Sequence, residues 1–100
     1  RLNCWENKMS DTISVELEII NERGLHARAA ASFVKTIDGL NADVQVERLG
    51  QVVDGNSIMG LMMLAAAKGT KIKVSAAGTD AETAIANITQ LVNGRFGEDR

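Results

Sequence analysis

One hundred residues make one domain; 45% of them are hydrophobic and only 3% aromatic, so a modest core must be built from aliphatic side chains. A formal net charge of −2 with no block of lysine and arginine argues against a nucleic-acid surface, and no run of about 18 apolar residues offers a membrane span. Cys4 is the only cysteine and His26 the only histidine, which excludes an internal disulfide, disfavours a metal centre and makes the reducing cytoplasm the expected setting.

Residues 1–8 lack any hydrophobic period, and Met9-Ser10 reads as a natural start. Residues 1–8 are therefore expected to be an N-terminal extension without order or function, and residues 9–100 to be the domain.

Ile13 to Ile19 alternates apolar and polar, the pattern of a strand with one wet face. Asn21-Glu22-Arg23-Gly24 breaks it. From Ala27 to Asp38 the apolar positions Ala27, Ala30, Ala31, Val34 and Ile37 fall at helical spacing and predict one buried stripe, with Gly39 at the helix end. Ala42 to Leu49 predicts a second strand that buries Val44 and Val46. Gly50 then turns the chain into a short strand, Gln51 to Asp54, and so brief a connection requires an antiparallel hairpin.

Asp54-Gly55-Asn56-Ser57 is turn chemistry with a helix cap at Asn56 or Ser57. Ile58 to Ala67 predicts a nearly all-apolar helix that buries Leu61 and Leu64. Lys71 to Ala76 alternates again as a fourth strand. Thr79 and Glu82 match a capping box ahead of a helix whose stripe is Ala81, Ala84, Ile85, Ile88, Leu91 and Val92. Residues 95–100 are expected to fray. The order β-α-β-β-α-β-α, with half-wet strands, predicts an α+β, open-faced two-layer sandwich. In it a four-stranded, mainly antiparallel sheet carries three helices on one face.

The chemistry concentrates at Gly24-Leu25-His26-Ala27-Arg28. A strand ends before His26 and a helix begins after it. The free N–H groups of a helix start favour a bound anion such as phosphate. Imidazole is a nucleophile, and the guanidinium of Arg28 can grip phosphoryl oxygens in a fork. The plainer alternative is a histidine that only satisfies a helix end. No paired carboxylates, Ser–His–Asp spacing or GxxxxGK loop occurs, and no cofactor is called for.

Gly24-Leu25-His26-Ala27-Arg28 before the first helix and Asn56-Ser57-Ile58-Met59-Gly60 opening the second, in this element order, resemble the HPr-type histidine phosphocarriers of the bacterial phosphotransferase system. The resemblance covers roughly Ile13 to Leu91. It implies that His26 accepts a phosphoryl group from enzyme I and passes it to enzyme IIA-type acceptors, as a stoichiometric carrier rather than an enzyme. It implies that Arg28 steadies the phosphoryl oxygens, and that Ser57 is the regulatory serine of an HPr kinase/phosphorylase. One departure stands out: Ala29 occupies the place where the family usually has proline.

The surplus apolar residues of the second helix, Ile58, Met59 and Met62, together with Leu25, suggest an adaptable surface for docking partners. Such a carrier is expected to be monomeric, so that its docking face stays free. The rival reading is a ligand-sensing or protein-interaction domain with a ferredoxin-like sheet and a structural histidine.

Overall fold

The structure, a computed structural model, describes residues 12–97; the expected extension 1–8 lies outside the described residues. The elements follow in the order β1 (Ile13–Glu18), α1 (Ala27–Ile37), β2 (Asp43–Arg48), β3 (Gln51–Asp54), α2 (Ile58–Met63), β4 (Lys71–Ala77) and α3 (Ala81–Asn93), with a 3-10 turn at Arg95–Gly97. They form an open-faced two-layer sandwich. The four strands lie in the order β1-β4-β2-β3, and every neighbouring pair is antiparallel.

Alternation along each strand decides which side faces the helices. Leu17, Val44, Val46, Ile72, Val74 and Ala76 point inward and are buried. Most outward positions are polar, Val52 on β3 being an exposed exception, and several pair by charge: Lys73 lies between Glu16 on β1 and Glu47 on β2, and Lys71 lies opposite Glu18. Opposite charges in register support a sheet face that no helix covers.

The core side of α1 differs from the expected stripe. The buried residues are Ala29, Ala30, Phe33 and Ile37. Ala27 and Ala31 are exposed and Val34 is only half-buried. Phe33 is the reason: a phenylalanine buries far more apolar area than an alanine, so the helix turns to put that ring into the core. The stripe of α3 follows its periodicity, with Ala81, Ala84, Ile88 and Val92 buried and Ile85 and Leu91 half-buried at its edges.

Three local expectations give way to tertiary contacts. Helix α2 ends at Met63 rather than Ala67, because Ala65 adopts a left-handed backbone at φ 53°. No capping box forms at α3. Its N-cap is Asp80, whose Oδ2 accepts the Asn41 backbone N–H at 2.6 Å, while Thr79 Oγ1 accepts Asn41 Nδ2 at 2.8 Å. The tail does not fray at once: Arg95 and Phe96 both take positive φ, which folds the chain back and buries Phe96 against α1 and α3.

Candidate functional site

His26 is the N-cap residue of α1. Its extended backbone (φ −85°, ψ −175°) precedes the first helical turn, and its side chain makes no capping bond. Its carbonyl accepts the first intrahelical bond, from Ala30 N–H at 2.8 Å. The N–H groups of Ala27, Arg28 and Ala29 therefore have no partner within the helix, and they lie around the start of the turn on which His26 stands. The histidine is half-buried and Arg28 is exposed. The imidazole thus stands at a helix start whose free amides favour a bound anion, with Arg28 two residues further along the same first turn.

The loop before the histidine is built to present it. Gly24 N–H returns to the Asn21 carbonyl at 3.2 Å, and the fully buried Asn21 donates from Nδ2 to the Gly24 carbonyl at 2.9 Å. Leu25 N–H donates to the Ala66 carbonyl at 2.8 Å, which ties the loop to the segment just after α2. Asn21 carries no motif signal beyond its place in a turn-forming stretch; only the closed loop reveals its part.

Ser57 caps α2, with its Oγ accepting the Gly60 N–H at 3.0 Å. It sits at the opposite end of α2 from the His26 loop, separated by a helix of six residues that rises about 9 Å. Between them lie the exposed apolar residues Ile58, Met59 and Met62, and also Met63, which the spacing did not single out. Leu25 does not belong to this surface. It is 4% exposed and packs in the core, while its backbone N–H is tied to the Ala66 carbonyl. Among the described residues, no group of three His, Cys, Asp or Glu side chains is placed to hold a metal ion, and no helix is long and apolar enough to cross a membrane.

The chain matches the family model PTS-HPr, "PTS HPr component phosphorylation site", over residues 13–94. It is 50% identical over 82 residues to the phosphocarrier protein HPr of Neisseria meningitidis serogroup B, covering 82% of this chain and 92% of that one. It is 37% identical over 89 residues to the phosphocarrier protein NPr of Escherichia coli K12, covering 88% and 99%. The crystal structure of HPr from Thermoanaerobacter tengcongensis superposes with a TM-score of 0.84 at 41% identity, covering 88% of this chain and 99% of that one. Sequence motifs, sheet order and these relatives agree, and the chain belongs to the HPr family of phosphocarrier proteins of the phosphotransferase system.

Proposed function

We propose that this protein relays a phosphoryl group on His26, taking it from phosphorylated enzyme I and passing it to an enzyme IIA-type acceptor in the cytoplasm. The observation that carries the reading is the half-buried histidine at the N-cap of α1, at the three free amides of the helix start and two residues before Arg28.

The chemistry is a pair of displacements. The lone pair of a ring nitrogen, Nδ1 by resemblance to the family, attacks phosphorus; the nitrogen–phosphorus bond forms as the bond to the donor breaks. The N–H groups of the first turn and the Arg28 guanidinium hold the phosphoryl oxygens while the group is carried. The acceptor's nucleophile then attacks from the other side and the imidazole leaves. Water takes no part, and the protein ends as it began, so it acts as a stoichiometric carrier.

Ser57 is the proposed target of an HPr kinase/phosphorylase. A phosphate there would add about two negative charges at the start of α2, beside the apolar surface of Ile58, Met59 and Met62 on which the partners would dock. A helix N-terminus tolerates that charge, so the modification would alter partner choice more than the fold. A monomer leaves this surface free.

The test is labelling from phosphoenolpyruvate through enzyme I. Wild type should take up one phosphoryl group that acid removes, as phosphohistidine is acid-labile, and His26→Ala should fold but take up none. Label retained by His26→Ala would overturn the assignment.

A further inference from the structure

The side chain of Arg48 runs from the end of β2 to the C-terminus of α2, where Nη1 donates to the Leu64 carbonyl at 2.9 Å. Helix α2 has no basic residue in its last turn, so the cation that meets its carbonyl end comes from the sheet. Ala65 then turns left-handed, and the next carbonyl, that of Ala66, receives the Leu25 N–H at 2.8 Å. Leu25 precedes His26. Leu64, Ala66 and Leu25 are all buried, and Gly24 sits so close that a Cβ there would lie 2.4 Å from the Ala66 oxygen. One continuous path of short bonds and tight backbone thus leads from Arg48 to the histidine. The Arg48 Nε is buried without a hydrogen-bond partner, so reaching Leu64 costs this side chain a solvated donor.

We propose that Arg48 is a positioning residue for phosphoryl transfer: it holds the Leu64–Ala66 turn in the form that presents the Ala66 carbonyl to Leu25, and thereby sets how His26 emerges at the start of α1. The proposal rests on the reading of His26 as the phosphoryl carrier. Its bond is to Leu64, so its action on the reaction is indirect.

Two variants test it: Arg48→Met, which keeps length but has no donor, and Arg48→Lys, which keeps a cation able to reach a carbonyl. Amide hydrogen exchange of Leu25 is measured against Val74 on β4, whose exchange reports global opening. In Arg48→Met, Leu25 should exchange about tenfold faster relative to Val74. The kcat for phosphorylation by enzyme I should fall with KM unchanged, and Arg48→Lys should recover much of both. If Leu25 and Val74 speed up in parallel, or if KM alone changes, Arg48 serves only stability or docking and the proposal fails. Wild type that takes up no phosphate would refute the relay itself, while the exchange ratio, which needs no phosphate, still decides the link from Arg48 to Leu25.

Discussion

A methyl group placed on Gly24 would lie 2.4 Å from the carbonyl oxygen of Ala66, the same oxygen that accepts the Leu25 N–H. The loop carrying His26 is therefore seated against backbone, which has no side chain to swing aside. Gly24 also has φ 66°, which costs other residues about 1–2 kcal/mol. Gly24→Ala should lose more than that strain alone in urea unfolding and should slow phosphoryl transfer. Wild-type stability in this variant would mean that the contact is slack.

Phe33, not Val34, is the central side chain of α1. Phe33→Ala should cost about 3–5 kcal/mol, whereas Val34→Ala, at a half-buried position, should cost well under half as much. Denaturant midpoints at constant m-value compare the two directly. Equal losses would contradict the orientation of the helix.

Ser57 holds the start of α2 through the bond from Gly60 N–H to its Oγ. Ser57→Ala should destabilise by about 1 kcal/mol, a drop of roughly 4–8 °C in melting temperature for a domain of this size. Calorimetry would measure it, and an unchanged melting curve would remove the cap from the account.

Met59 is 74% exposed, so Met59→Glu should leave the melting temperature nearly unchanged. If α2 docks partners, the same substitution should weaken enzyme I binding by about tenfold or more, since a charge must then be desolvated at an apolar contact. Titration calorimetry reads this, and unaltered affinity would confine α2 to a structural role.

Much of this protein could be read from local pattern. Alternation in Ile13–Glu18, Asp43–Arg48 and Lys71–Ala77 identified the strands and their inward faces, because a side chain's face in a strand depends only on its own position. The junction of strand, turn and helix at Gly24–Arg28 put a histidine at a helix start, and the cap ahead of Ile58 was legible as Asn56 or Ser57, of which the structure uses Ser57. The misread features share a different character. The rotation of α1 depended on which side chain the core would receive, and Phe33 outweighed the alanines. The end of α2, the N-cap of α3 and the docking of Phe96 each answered to a distant partner.

By itself, then, the order of residues determined the elements, their sequence along the chain and the chemical groups available at His26, Arg28 and Ser57. Tertiary structure decided how those groups are held. Asn41 reaches Asp80 across 39 residues, and Arg48 reaches Leu64 across 16. Bonds of such separation lie outside any local window, and they form only after the sheet and helices have packed the two segments together. The inward turn of Leu25 and the seat of the histidine loop on Ala66 belong to that second class, because a buried backbone donor takes whichever acceptor the assembled fold supplies.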